Sequence, residues 1–290
     1  MEMQIKRFQK IIWDFYRKNK RDLPWRPPAL RQSSQERRRA SKNFDVIKSP
    51  LTPYRIFVSE VMLQQTQVTR VISKYKEFLK RFPSFQSLTS ASLSDVLKTW
   101  KGLGYNRRGL NLKRAAEIIV KKYQGKIPKD PKELIKLPGI GPHTAGSILA
   151  FAYNFPIPFI ETNIRSVFIH FFFKDKTKIH DRDILPLVEK TLDKTNPREW
   201  YYALMDYGSH LKKSLNPSKR SLHYVRQAPF KGSHRELRSK ILSYILLEST
   251  RDLKTISRQT VIPLTQVKEI IEELSKEGFI AKAKNGFKIL

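Results

Sequence analysis

The chain has 290 residues, 57 of them lysine or arginine against 26 aspartate or glutamate, for a net charge of +31. Such a length accommodates one large or two ordinary domains with real cores, and a charge so far from zero points to a polyanion, nucleic acid first, because neutralised phosphates release counterions. The absence of cysteine excludes disulfides and thiolate metal sites, while the start MEMQIKRFQK lacks a signal-peptide layout and the longest aromatic run, Ser166 to Phe173, is too short to span a bilayer, so an intracellular protein beside DNA or RNA is expected.

Ile5, Phe8, Ile12 and Phe15 recur at helical spacing, and Pro24 is expected to stop this first helix. From about 27 to 50 the text turns polar and basic with little apolar periodicity, which reads as a loop insertion. Its Arg37, Arg38 and Arg39 could meet phosphates, although a charge run is as often simply solvated. Helical signals then follow one another to about residue 212. Ser92 with Asp95 forms a capping-box start, and Gly125 is placed to end a helix running from about Arg107. Strand alternation is rare, so the main body reads as all-α.

Two segments carry chemistry. In Ser59-Glu60-Val61-Met62-Leu63-Gln64-Gln65-Thr66-Gln67-Val68 one acid stands against an apolar turn beside amides that cannot ionise. A buried carboxyl has its pKa raised and can hold a proton near neutral pH, which makes Glu60 a candidate proton donor. An ordinary amphipathic helix with Glu60 on its wet side is the alternative. Further on, Leu137-Pro138-Gly139-Ile140-Gly141-Pro142-His143-Thr144 describes a helix–hairpin–helix. Gly139 and Gly141 permit a tight turn and a close approach to phosphate, and the helix behind them offers free N–H groups. A plain tight turn between packed helices would read the same way.

After a linker at FKGSHREL, helices are expected over Arg238–Thr250, Leu253–Gln259 and Leu264–Lys276, followed by apolar alternation from Phe279 to Ile289 around an Asn285-Gly286 turn. Three helices and a hairpin resemble a winged helix. Glu269, Glu272, Glu273 and Glu277 on the third helix would repel a phosphate backbone, leaving Thr265, Gln266 and the wing lysines Lys282, Lys284 and Lys288 for DNA. A protein contact fits this segment equally well.

The segments VSEVMLQQTQV, WKGLGYNRRGLNL, LPGIGPHTAGSILAFA, PFIETNIRSV and WYYALMDYGS resemble, in order and spacing, the MutY family of adenine DNA glycosylases. That family belongs with endonuclease III to the helix–hairpin–helix base-excision glycosylases. The resemblance covers roughly residues 1 to 235, apart from the insertion. It implies a mainly all-α, two-lobed helix–hairpin–helix glycosylase fold over 1–230, with a six-helix lobe at about 53–150 and the active site in the cleft between lobes. The winged-helix-like domain would occupy 231–290.

The resemblance also assigns roles. Glu60 matches the catalytic glutamate that protonates the departing adenine at N7 and later helps position water. Gln65 matches a wedge beside the mispair, and Leu103 and Tyr105 match residues near the opposing base. Thr66, Gly139, Gly141, Thr144, Asn163 and Arg26 complete the set expected to touch DNA or substrate. His143 stands where bifunctional relatives carry a Schiff-base lysine, so the resemblance implies a monofunctional enzyme.

Four departures from the family pattern matter. Glu161 replaces an aspartate that stabilises the sugar cation, and a shift of about 1 Å in such a group can cost about two orders of magnitude in rate. No other site residue is lost, so an active enzyme is expected. The family's cluster cysteines would follow Gly208, where the chain reads HLKKSLNPSKRSLHYVRQAPF, so no iron–sulfur cluster, metal or other cofactor is expected. Lys212, Lys213, Lys219, Arg220 and Arg226 are basic residues there that could meet phosphates. Nothing resembles the family's Nudix-like domain, and Tyr202 stands where many relatives carry an acid or amide.

The expected function is removal of adenine opposite 8-oxoguanine or guanine by base flipping and acid-assisted hydrolysis. Two alternatives stay open: removal of thymine or uracil opposite guanine, and a catalytically silent DNA-binding damage sensor. The expected partner is double-stranded DNA with a mispaired or damaged base, bound by a monomer without membrane contact. The winged-helix-like domain would add a DNA or protein contact.

Overall fold

The computed structural model describes residues 2–26, 51–247 and 252–290, so the basic insertion with Arg37, Arg38 and Arg39 lies outside the described residues. Among those described, the helices are α1 (Glu2–Asn19), α2 (Pro53–Leu63), α3 (Val68–Arg81), α4 (Phe85–Ser90), α5 (Leu93–Trp100), α6 (Asn106–Tyr123), α7 (Pro131–Ile135), α8 (Pro142–Tyr153), α9 (Thr162–Phe172), α10 (Asp181–Thr191), α11 (Pro197–Ser214), α12 (His234–Leu247), α13 (Leu253–Thr260) and α14 (Leu264–Glu277). A 3₁₀ turn at Pro217–Arg220 and a hairpin of β1 (Ile280–Ala283) and β2 (Gly286–Ile289) complete the elements. The mainly α-helical class expected from the sequence is the one observed. These elements form two compact units, Met1–Val61 with Ile127–Arg226, and Met62–Lys126 with Gln227–Leu290.

In the first unit, Phe8, Ile12 and Tyr16 recur every fourth residue on one face of α1 and are buried there. They join Ile164, Val167 and Phe168 of α9 and Trp200, Tyr201 and Leu204 of α11 in one core. The Phe8 ring lies 5.3 Å from that of Phe168 and 5.9 Å from that of Trp200. Burying each such aromatic is worth about 2–3 kcal/mol, far more than an exposed pair such as Lys6–Glu2. The first helix does not run to Pro24. It stops at Asn19, whose side-chain amide donates to the Phe15 carbonyl at 2.9 Å, and the chain beyond leads Leu23, Trp25 and Arg26 into burial.

Two glycines set the spacing of the helices that carry the site. A Cβ on Gly208 of α11 would lie 2.4 Å from the Asn163 carbonyl oxygen, and one on Gly146 of α8 would lie 2.7 Å from Cβ of Phe159. Glycine therefore lets α11 press against the start of α9, and α8 against the extended stretch before it.

The segment after Gly208 has lysines, serines and arginines but no thiolate, so its donors do not fit a cysteine-ligated cluster. Ordinary hydrogen bonds pin it. Ser218 Oγ meets Ser166 Oγ at 2.5 Å, and the Arg220 guanidinium donates to the carbonyls of Ile169, Phe173, Lys174 and Lys176. Arg220, a candidate phosphate contact by sequence, is thus committed to closing a loop.

In the second unit, Leu93, Leu97 and Leu110 share one core with Ile241, Ile245, Ile256, Val267, Ile270, Leu274 and Phe279. The C-terminal helices and residues 62–126 are therefore built on common apolar packing. Of the expected capping box at Ser92, the forward half forms: Ser92 Oγ accepts from the Asp95 N–H at 3.0 Å, while the Asp95 carboxylate takes the Ser92 hydroxyl at 2.8 Å and Arg81 at 2.5 Å. α6 ends one residue before Gln124, which is already left-handed at φ +53°, and Gly125 follows at +77°. The hairpin pairs Ala283 with Gly286, so its two-residue loop is Lys284-Asn285, and Gly286 opens β2 instead of sitting in the turn. Two of the four α14 acids are also spent locally: Glu273 pairs with His234 and Arg238, and Glu277 with Arg107 and Arg238.

Candidate active site

In the first unit, α2 buries Ile56, Phe57, Val58 and Val61 and carries Glu60 among them. Desolvation, with a smaller push from the Glu161 carboxylate, raises the Glu60 pKa from 4.5 to about 7, against the opposing pull of a Ser147 hydrogen bond and the Arg26 charge. Ser147 comes from α8, is 5% exposed, and also reaches the Thr144 carbonyl at 3.0 Å. One hydroxyl proton serves one acceptor at a time. When Glu60 is protonated it can donate to Ser147 Oγ while Ser147 donates to Thr144, and every donor has an acceptor. When Glu60 is ionised it must draw the Ser147 proton away from Thr144.

Glu161 plays a different part. It is the N-cap of α9: Oε1 accepts from the N–H groups of Asn163 at 2.7 Å and Ile164 at 2.9 Å, and Oε2 accepts from the Asn163 side-chain amide at 3.1 Å. A negative charge at a helix N-terminus is favoured by the free N–H groups and the helix dipole. Asn163 thus serves as a holder of Glu161, and Gly208 lets the backbone at Asn163 sit where it does. The longer side chain is accommodated by folding back onto its own helix.

Arg26 is expected by sequence to meet DNA or substrate, yet it is 5% exposed and its two terminal nitrogens each donate to Asp206 at 2.9 Å. Asp206 also receives the Arg21 Nε at 2.5 Å. The Arg26 guanidinium lies 4.3 Å from the centre of the Tyr202 ring, which stacks on Phe151 with ring centres 4.6 Å apart. Burial pushes the Tyr202 phenol far above its ordinary range. Tyr202 is therefore a neutral inner wall, and Arg26 acts on Glu60 through its charge from within the protein.

At the helix–hairpin–helix, Gly139 has φ +78°, which glycine alone adopts at little cost. Gly141 has φ −91°, and a Cβ there would meet nothing within 4 Å, so its backbone does not require glycine; it N-caps α8 ahead of Pro142. Exposed His143 follows in the first turn with Thr144 half-buried beside it. Desolvation lowers the His143 pKa, and Arg165 and His223 add to the effect against Asp181 and Glu161. Among the described residues no group of three or more histidines or acids could hold a metal ion.

In the second unit, Gln65 and Tyr105 both have left-handed backbones, at φ +52° and +49°, a conformation costing about 1–2 kcal/mol for a side-chain-bearing residue. Arg108 offsets it. Its guanidinium donates to the carbonyls of Met62 at 2.9 Å, Gln64, Leu103 at 3.1 Å and Gly104 at 3.1 Å, and to Thr66 Oγ1 at 2.8 Å. Burial brings its pKa down to about 10, so it stays charged at neutral pH. Gln65 is exposed, Thr66 is half-buried and bonded inward, and Leu103 is 1% exposed in the core. Leu103 thus does not present its side chain at the surface, because the turn that exposes Gly102 and Gly104 points it inward. Sequence reading missed Arg108; the one cue was its place three residues after GLGY.

Residues 58–190, which include Glu60, the hairpin and Glu161, match the HhH-GPD superfamily base excision DNA repair protein model. Over that segment the chain is similar to the HhH-GPD superfamily. The chain is also similar to adenine DNA glycosylases: 38% identical over 169 residues to one from Buchnera aphidicola subsp. Baizongia pistaciae, covering 57% of this chain and 47% of that protein. It is 33% identical over 216 residues to one from Buchnera aphidicola subsp. Acyrthosiphon pisum (72% and 55%) and 32% identical over 210 residues to the human protein (71% and 36%). The chain thus spans about half the length, or less, of these curated relatives. A thermostable thymine-DNA glycosylase shares the fold of this chain at TM-score 0.58 and 21% identity, covering 76% of this chain and 95% of that one. An endonuclease III–DNA covalent intermediate does so at TM-score 0.51 and 19% identity, covering 79% and 91%.

Proposed function

We propose that this chain is a monofunctional DNA glycosylase that flips adenine from a mispair with 8-oxoguanine or guanine and hydrolyses its N-glycosidic bond. The observation that carries the reading is a carboxyl with pKa about 7, Glu60, coupled to a second carboxyl, Glu161, fixed at a helix N-terminus. The first is a proton donor at working pH, and the second is a fixed charge. Glu60 gives its proton to the departing adenine, the electrons of the glycosidic bond leave with the base, and the positive charge at C1′ is stabilised by Glu161. Water then adds at C1′ and its proton returns to Glu60, completing the balance.

The named relatives support adenine as the substrate. A histidine at 143 in place of an amine supports hydrolysis without strand cleavage, since a Schiff base needs a primary amine. Gln65, exposed on its left-handed turn, is our wedge for the vacated stack. In this reading the protein works inside the cell as a monomer on duplex DNA without a cofactor, and its three C-terminal helices and hairpin act as a winged-helix-like module. No described helix is long and apolar enough to cross a membrane.

Single-turnover base release from duplexes carrying adenine opposite 8-oxoguanine, adenine opposite guanine, and thymine or uracil opposite guanine tests the reading, with Glu60→Gln as blank. Adenine release that needs alkali for strand scission is the expected result. Release of thymine or uracil alone, or tight binding with no release, would overturn it.

A further inference from the structure

Tyr105 is tied to the C-terminal segment. Two guanidinium groups lie against its ring, Arg108 at 5.4 Å and Arg235 at 5.7 Å from the ring centre. Arg235 also donates through Nη1 to the Tyr105 hydroxyl at 2.9 Å and through Nη2 to the Ala228 carbonyl at 2.7 Å. With both arms of the planar fork engaged, the direction of the guanidinium is fixed. The helix that carries Arg235 is anchored in turn. Arg238, one turn on, donates to Glu277 at 2.9 Å, and the same Glu277 takes Arg107, two residues from Tyr105, at 2.5 Å. One acid on α14 thus joins α12 to the start of α6.

We infer that Arg235 is a positioning residue for Tyr105, through which the C-terminal segment discriminates between bases opposite the one removed. This rests on the glycosylase reading. An aromatic on a left-handed turn would otherwise have to be ordered when DNA binds, and ordering it beforehand spares that cost. The hydrogen bond also sets polarity. Arg235 occupies an acceptor site of the phenol oxygen, so the phenol proton is directed to another acceptor. 8-Oxoguanine carries a carbonyl oxygen at C8, where guanine carries only C–H. Tyr105 held in this way favours the oxidised base.

The test is equilibrium binding of the full chain to duplexes holding a non-hydrolysable adenine nucleotide opposite 8-oxoguanine or guanine. The quantity read is the ratio of the two affinities. Arg235→Met, which keeps the apolar stem, should lower that ratio roughly three- to tenfold, the scale of one ordinary hydrogen bond. Tyr105→Phe should do the same, the double variant no more than either single one, and Arg235→Lys should retain part of the preference. If Arg235→Met does not fold, Arg235→Lys and Tyr105→Phe carry the test. An unchanged ratio, equal weakening of both duplexes, additive effects, or no preference in the unsubstituted chain would each overturn the inference. Adenine release is scored separately on hydrolysable duplexes: release with an unmoved ratio refutes the inference alone, and a moved ratio without release refutes the glycosylase reading alone.

Discussion

Replacing Glu60 by glutamine should stabilise the protein in alkali while abolishing its chemistry. The folded-state pKa of about 7 lies above the ordinary value of 4.5, and that gap corresponds to about 3 kcal/mol of folding free energy. The sign follows from proton binding. The folded state holds the Glu60 proton more tightly than the unfolded chain, so this contribution is fully present below about pH 4.5 and is lost as pH rises to about 7. Above that pH the half-buried carboxylate costs the whole amount. Glutamine has no charge to desolvate and can still meet Ser147.

The two proteins should therefore have similar stability near pH 4.5, with Glu60→Gln ahead by up to about 3 kcal/mol at pH 8.5. Urea unfolding followed by tryptophan fluorescence suits the purpose, because Trp13, Trp25 and Trp200 all lie in the unit that holds Glu60. Single-turnover base release supplies the second readout. The protonated fraction of the acid falls tenfold per pH unit well above its pKa, so the rate should fall with that slope above about pH 7. A stability difference that is absent at pH 8.5, or the same at both pH values, would mean that Glu60 is solvated and ionised throughout. Glu60 would then hold no proton to give at working pH.

Two further substitutions probe the second carboxyl. Glu161→Asp should keep the melting temperature within a few degrees and base release within roughly tenfold, because aspartate also caps a helix through the same N–H groups, whereas Glu161→Gln should keep the fold and lose turnover by at least about a hundredfold in single-turnover assays. Gly208→Ala, whose new Cβ would meet the Asn163 carbonyl at 2.4 Å, should cost about 1–3 kcal/mol in urea unfolding and slow base release by displacing the helix start that holds Glu161; an alanine tolerated without loss would show that α9 and α11 can separate freely.

The parts of this molecule legible in the sequence are those fixed by local pattern. An acid in an apolar turn announces a perturbed carboxyl, and Glu60 is one. Helix periodicity over residues 264–276 gives α14 to within one residue. What stays hidden is what depends on distant chain. The sequence holds no cue that Arg235 meets a tyrosine 130 residues earlier, nor that Arg26 is consumed by Asp206, 180 residues later. The resemblance puts Leu103 near the opposing base, and only the core of its unit decides that its side chain points inward. The Asn285-Gly286 pair reads as the hairpin turn, but cross-strand pairing moves the loop back one residue to Lys284-Asn285.

The two carboxyls of the first unit show how environment alone divides labour between like groups. Glu60 sits within an apolar helix face where the charged form is disfavoured, with a serine able to accept its proton. Glu161 sits at the end of a helix, where two backbone N–H groups and an amide donate to it. Exchanging either environment for the other would put the wrong protonation state at the wrong end of the reaction: a charged donor cannot protonate a leaving base, and a neutral acid cannot stabilise a sugar cation. The two states also support one another, since the Glu161 charge contributes to keeping Glu60 protonated. Neutralising Glu161 should therefore lower the Glu60 pKa as well as removing the fixed charge. The pH at which base release declines in any residual activity of Glu161→Gln should move downward, a displacement that a purely electrostatic spectator at 161 would produce without loss of rate and a structural one would not produce at all.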